Sequence, residues 1–443
     1  MANTYLTRTV SSASNRRTWT WSAWVKLGAL SGNQSFFTSR SDNANYSTIR
    51  IEPDRFHIFD LVSSGFNYQV KTNRRLRDPN SWYHLVVAFD TTQATASNRI
   101  KLYVNGEQET SLAESSYPAQ NYEGFINRNR DHYIGQGGNQ GDRFDGSMSH
   151  FHLCDGTALA PTVFGSTDST TGEWKINTSP SFTPGTNGFT ILKDGNTITD
   201  QSANSNNWSL GGGTLTKTED CPSNVFATMN PLVGSNLLGS TVNFNSGNTD
   251  VKDPNGSASG INPQFISTLA MPSKGKFYCE VQPLAFSTNS GHGIGIFRTS
   301  SGNTADATNS NNLIRYIYAD TSIYITKYGS SIQTGLTAIS ANDIVGMALD
   351  LDNGTLQYYV NGVARGSQIT GVSSANDGYD YFFHANLESS SSGRYGRYYW
   401  NFGNGYFSTT AVSSAGTNAS GNGIFEYDVP ANFTALSTKG LNL

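Results

Sequence analysis

Apolar and polar residues alternate along most of this chain with a period of two. TWTWSAWVKL (Thr18–Leu27), STIRIE (Ser47–Glu52), RFHIFDLV (Arg55–Val62), WYHLVVAFD (Trp82–Asp90) and MSHFHLCD (Met148–Asp155) carry the pattern in the first half. KFYCEVQPL (Lys276–Leu284), GHGIGIFR (Gly291–Arg298), LIRYIYAD (Leu313–Asp320), DIVGMALDLD (Asp343–Asp352) and RYYWNFG (Arg397–Gly403) carry it in the second. Successive side chains of a strand point to opposite faces, so this alternation predicts strands with one buried face. A period of 3.6 residues is nearly absent and no long helix is expected. Closely spaced short strands with turn residues between them are the pattern of a β-sandwich.

The tetrapeptide YVNG occurs twice, at Tyr103–Gly106 and Tyr359–Gly362, each time after an alternating run. Ile100, Leu102 and Val104 share one face before the first copy, and Leu356, Tyr358 and Val360 before the second. Asn-Gly reaches the positive φ angles of a two-residue type I′ turn at low cost, so each copy predicts a hairpin tip. The turn demands these residues without any ligand. The surroundings differ in loop length and order, so the copies read as equivalent hairpins in two sandwiches.

Between the halves the texture changes. From Ala160 to about Ser235 the chain is rich in Pro, Gly and Asn, with FTILK (Phe189–Lys193) and GTLTK (Gly213–Lys217) as short strand candidates. The expected division is a first sandwich over 1–222, a connector over 223–235 and a second sandwich over 236–443. Length permits this, since 443 residues suffice for two or three domains. Only 14% of residues are charged while 12% are aromatic, which favours a turn-rich globular protein over a disordered one.

Charge and cysteine content then remove several classes. The 29 Lys and Arg against 33 Asp and Glu leave a formal charge of −4, and no basic stripe forms, so no nucleic-acid partner is expected. Three cysteines, Cys154, Cys221 and Cys279, lie far apart and predict no disulfide framework. The polar start MANTYLTRTV has no secretory apolar core, and no apolar run is long enough to insert in a membrane. Synthesis in a reducing cytoplasm is the expectation.

Trp82, His84, Asp90, Tyr103–Gly106, Ile134–Gly135, Phe144–Gly146 and Ala158–Pro161 fall in an order that resembles the concanavalin A-like sandwich of laminin-G and pentraxin type. The resemblance runs from Tyr5 to Pro161 and implies Trp24 as a core aromatic of an early strand. In the second half, Lys276–Val281, Gly291–Phe297, Asp343–Gly362 and Asn401–Gly403 resemble a SPRY domain. The implied fold class is all-β, with two jelly-roll-type antiparallel β-sandwich domains, one concanavalin A-like and one SPRY-like. The whole order, with Cys221–Leu232 between the sandwiches and Phe433–Leu443 at the end, resembles lectin-like or tail-fibre-like proteins of marine and cyanobacterial tailed phages. That resemblance implies a virion protein made in the bacterial cytoplasm. Its implied partners are other capsid or tail proteins in multiple copies, as a homo-oligomer, and host-surface glycan.

Concanavalin A-like folds include glucanases, so catalytic pairs matter. A retaining glycosidase needs two carboxyl groups about 5 to 5.5 Å apart. Glu107 and Glu109 are two apart but follow a turn, and Asp352 of the Asp350/Asp352 pair belongs to a turn. No enzyme activity is expected, with glycoside hydrolysis as a remote alternative. His150, His152 and Cys154 share a parity on one strand, yet same-face residues lie ~6.8 Å apart along it, too far for three to share an ion easily. They read as a polar outer face, with Phe151 and Leu153 on the core side. The laminin-G resemblance implies calcium as a common partner, which would need oxygen ligands from loops; Asp142 and Asp145 are the candidates, and no cofactor is assigned.

Carbohydrate sites stack apolar sugar faces on exposed aromatics and surround them with amides and arginines. Two loops have that composition. NRNRDHY (Asn127–Tyr133) supplies Asn127, Arg128, Arg130 and His132, and SSSSGRYGRYYW (Ser389–Trp400) supplies Arg394, Tyr395 and Arg397. The competing reading puts Tyr398 and Trp400 in the core and the arginines in solvent. The expected function is a virion adhesin of tail-fibre or appendage type. A capsid decoration or head-fibre protein without glycan binding is the alternative.

Overall fold

The computed structural model describes residues 4–28, 30, 32–79, 81–193, 197–232, 242–253, 263–286, 291–300, 310–318, 322–373, 377–387 and 395–442. The chain divides into two compact units, Met1–Lys217 and Thr218–Leu443. Each is an antiparallel sandwich of two sheets, so the fold is all-β, as the alternation predicts. The helical segments among the described residues are three-residue 3-10 turns, one of them at Pro161–Val163 with the proline in the first turn.

In the first unit one sheet of eight strands runs in the order Leu112–Ser116, Gly65–Arg75, Arg55–Val62, Asn45–Ile51, Gln34–Asp42, Asp131–Ile134, Tyr5–Thr9, Ser209–Gly212. The facing sheet runs Phe189–Ile191, Gly146–Asp155, Thr18–Leu27, Trp82–Asp90, Ile100–Val104, Glu107–Gln108. Between them Trp19, Trp21, Phe36, Phe37, Phe89 and Phe151 are fully buried, with Trp19 stacked on Phe89 at 4.6 Å. Each such ring contributes roughly 1.5–3 kcal/mol by leaving water.

In the second unit one sheet runs Asn243–Asn245, Asp250–Asp253, Gly396–Asn401, Lys276–Phe286, Val345–Asp350, Thr355–Val360, Val363–Thr370, and Thr434–Ala435 adds in parallel beside Lys276–Phe286. The other runs Gln264–Ile266, Tyr379–Asn386, Gly293–Ser300, Leu313–Ile317, Tyr324–Lys327, Ser330–Thr334. Its core uses tyrosines, two of which donate to carbonyls: Tyr358 to Ile294 at 3.2 Å and Tyr398 to Asn386 at 2.9 Å. At one side the Gln333 amide pairs with both backbone groups of Ser367, at 2.7 and 2.8 Å, which ties two edge strands together.

Both YVNG copies are hairpin tips. Asn105 and Gly106 have φ of 48° and 81°, and Asn361 and Gly362 have 50° and 77°. Each asparagine also reaches back to the neighbouring strand. Asn105 exchanges two 2.8 Å hydrogen bonds with the His84 backbone, its N–H donating and its side-chain oxygen accepting, and Asn361 does the same with Ile344. Each glycine then lies under an aromatic ring. A Cβ at Gly106 would run into Trp174, and one at Gly362 would meet Tyr427 at 2.7 Å.

Those rings belong to irregular straps. In the first unit residues 156–188 lie over the outer face of the six-stranded sheet, with Trp174 on Gly106 and Phe164 on His152, and in the second residues 413–433 lie over the outer face of the sheet built on Lys276–Phe286, with Tyr427 on Gly362 and Phe425 on Tyr278. The structure corrects three expectations. Trp24 is buried on this covered outer face, stacked on His84 at 4.9 Å, while Trp21 fills the sandwich interior. GTLTK (Gly213–Lys217) forms no strand; the residues just before it, Ser209–Gly212, do. Within the expected connector, Phe226, Ala227 and Met229 are buried in the second unit's clusters, so those residues belong to that unit; 233–235 lie outside the described residues.

Candidate functional site

The loop 127–133 is a structural corner. Asn127 is fully buried at φ 64°, and its amide donates to the Asn15 carbonyl at 2.9 Å and to Asp155 at 3.0 Å. His132 is buried as well. Its Nδ1–H donates to the Arg130 carbonyl at 3.0 Å, leaving Nε2 to accept the Asn127 N–H at 3.2 Å. Burial pushes its pKa down to about 4, so the ring is neutral. Asn127 and His132 therefore face no ligand, because the loop must satisfy its own buried backbone. Arg128 lies over the Phe125 ring at 5.4 Å, and exposed Arg130 holds Ser41 at 3.1 Å.

The second loop is different. Arg394 lies outside the described residues. Tyr398 and Trp400 are core, so the intervening residues point outward. Tyr395 is 44% exposed. Arg397 grips Asp250 with two hydrogen bonds of 2.8 Å and lies over Tyr399 at 4.8 Å. The Asp250 carboxylate raises the Arg397 pKa further. Tyr395, Arg397 and Tyr399 form an outward row, with the guanidinium fixed by its partner.

Carboxylate pairs are committed elsewhere. Glu107 and Glu109 both bind Arg74, at 2.9 and 2.6 Å. Asp350 pairs with Lys276 at 2.9 Å, and Asp352 accepts the Gly275 N–H at 2.8 Å. Calcium does not fit the candidate pair: Asp142 is bound to Arg50 at 3.1 Å, and burial pushes the Asp145 carboxyl upward. Among the described residues no group of three His, Cys, Asp or Glu side chains converges on a metal position.

His150, His152 and Cys154 do not form the expected exposed face. All three are buried, since the first strap lies over them and His150, at φ 48°, sits in an irregularity of the strand pairing. His152 stacks on Phe164 at 5.4 Å and bonds Thr190 at 2.9 Å; Cys154 donates to the Thr183 carbonyl at 3.2 Å. Phe151 and Leu153 are core, as expected.

Two buried polar centres carried no signal in the sequence. His84 Nδ1 accepts the Trp174 indole N–H at 3.0 Å, so its Nε2–H donates to Ser22 at 2.9 Å. The ring lies between Trp24 and Trp174, and burial takes its pKa down to about 3. In the second unit buried Glu280 accepts the backbone N–H groups of Glu426 and Tyr427 at 2.8 and 2.9 Å and the Asn401 amide at 3.2 Å. Burial raises its pKa to about 7 against those donors. Asn401, the first residue of NFG, also accepts from Gly403 and Gly405 at 2.9 and 3.1 Å. Both centres hold straps in place.

Residues 2–164 match the Laminin_G_3 family model, described as the concanavalin A-like lectin/glucanases superfamily. The first unit thus carries a concanavalin A-like, laminin-G-type sandwich, and the strap lies mostly beyond the match. No curated protein matches the chain. Among solved structures, the SPRY domain of human HERC1 is 13% identical over 39% of this chain and 96% of that one, with a TM-score of 0.30. Domains LG4-5 of the mouse laminin alpha1 chain are 10% identical over 98% and 84%, at 0.29. The SAP-like pentraxin of Limulus polyphemus is 17% identical over 36% and 72%, at 0.26. Values this low carry no weight for function.

Proposed function

We propose that the chain is a non-enzymatic recognition protein of a phage virion surface, an appendage adhesin that holds host-surface carbohydrate. The observation that carries the binding role is the outward row of Tyr395, Arg397 and Tyr399. Exposed ring edges and faces beside a fixed guanidinium suit a sugar, whose C–H face packs on an aromatic while its hydroxyls take charged donors. The lectin-type match of the first unit supports the same class of role. The virion assignment rests on the likeness of the whole chain to tail-fibre-like phage proteins.

Two measurements test the reading. Labelled antibody on intact particles, viewed by electron microscopy, is expected to mark the tail; label over the head would favour capsid decoration and remove the adhesin role. On a host-glycan array, Tyr395→Ala is expected to weaken binding about tenfold, which is ~1.4 kcal/mol. Unchanged binding would take this face out of the proposal.

A further inference from the structure

The first unit contains a cavity of about 270 Å³ beside its strap. Its apolar wall comes from the segment SPSFTP, through Pro180, Phe182 and Pro184. The two prolines fix their own φ angles, and the segment is tied down at its end. The Thr183 carbonyl accepts Cys154 Sγ–H at 3.2 Å, and the Pro184 carbonyl accepts the Asp155 N–H at 2.8 Å. Phe182 is braced edge-on by His152 at 5.7 Å and by Phe164 at 5.5 Å. The wall is therefore rigid before anything binds, which lowers the ordering cost of association.

The opposite side is polar and includes Lys193, Gln201 and Ser179. Among the described lining residues Lys193 brings the one formal charge and none is a carboxylate. Among the described residues Lys193 makes no ion pair. Burial drives the His152 pKa well below the ordinary value, with His150, His84 and then Lys193 adding to the effect. The volume falls just short of the about 300 Å³ at which pockets for drug-sized ligands begin, so it suits one ring.

We propose that this cavity binds a single carboxylated pyranose, a hexuronate-type sugar residue. Its carboxylate pairs with Lys193 and its apolar side packs on Phe182 and the flanking prolines. A rigid apolar wall opposite hydroxyl, amide and ammonium groups fits a sugar acid better than an extended peptide terminus. The site extends the carbohydrate reading, yet uses none of the residues of the outward row.

The test is calorimetric titration of the full chain with methyl β-glucuronide, methyl β-glucoside and acetate in parallel. The glucuronide is expected to bind at least tenfold more tightly than either of the others. Lys193→Met is expected to remove that preference, Lys193→Arg to keep it, and Phe182→Ala to weaken all sugar binding. Equal affinity for the three probes, or full preference in Lys193→Met, would overturn the proposal. Tyr395→Ala is expected to leave glucuronide binding unchanged. Loss of array binding in that variant with the glucuronide still bound supports both sites, while array binding without glucuronide binding overturns the cavity alone.

Discussion

The two units solve one problem with opposite chemistry. Each has a sheet whose outer face is covered by an irregular strap, and each strap crosses a YVNG tip with an aromatic ring, Trp174 over Gly106 and Tyr427 over Gly362. Beneath the first strap lies a histidine held neutral between two indoles. Beneath the second lies a carboxyl group that receives two backbone N–H groups of the strap itself. The straps are poor in ladder hydrogen bonds, with one short pairing of Gly165–Thr167 and Trp174–Ile176 in the first, so their buried donors need partners from the sheet below. One unit supplies an imidazole nitrogen to a tryptophan side chain; the other supplies carboxylate oxygens to the main chain. The comparison teaches that the same hairpin can anchor a strap while the polar lock beneath it is free to differ.

The lock at Glu280 should be the more costly to remove. Glu280→Ala leaves the Glu426 and Tyr427 N–H groups unanswered and the Asn401 amide with the Ile424 carbonyl alone, at about 1–3 kcal/mol for each lost acceptor, so a loss of roughly 4 kcal/mol is expected. Hydrogen exchange should show residues 413–433 losing protection while the first unit is unaffected. Gly106→Ala and Gly362→Ala come next, at about 2–3 kcal/mol, since each forces a side chain to positive φ beneath a ring. Equal losses in denaturant unfolding would confirm that the two tips are equivalent; a loss in one alone would break the comparison.

Trp174→Phe is milder. It keeps a ring but deprives His84 Nδ1 of its donor, for about 1–2 kcal/mol. The pH dependence separates the locks by sign. His84 has a depressed pKa, so its contribution is present above pH 6.5 and is lost as pH falls toward about 3. Glu280 has a raised pKa, so its contribution is present below pH 4.5 and is lost as pH rises through about 7. Stability of wild type minus that of Glu280→Gln should therefore fall from pH 4.5 to 7; a rise would reverse the assignment. The smallest effect is expected at Lys193→Met, within about 0.5 kcal/mol, because a half-buried side chain that pairs with no described carboxylate does little for the fold.

Much of the scaffold was legible beforehand. Thr18–Leu27, Arg55–Val62 and Trp82–Asp90 end where the alternation ends, and both Asn-Gly turns have the φ angles their residues favour. The site was less legible. Asn127 and His132 look like an exposed polar loop because amide and imidazole groups usually stay in water, yet the corner buries them to satisfy its own backbone. Tyr395 and Arg397 were singled out by loop composition; they lie outward because they alternate with the core residues Tyr398 and Trp400.

By itself the sequence determined where most strands run, where hairpins turn and, Trp24 apart, which side chains fill each sandwich, since these follow from a period of two and from local φ preferences. Only the tertiary structure decided what becomes of the outer faces. His84, His152 and Glu280 stand at positions that alternation assigns to solvent, and segments with no period of their own bury them from far along the chain. A strap's path depends on where distant carbonyls, N–H groups and rings find partners, and no local pattern of hydrophobic positions encodes that.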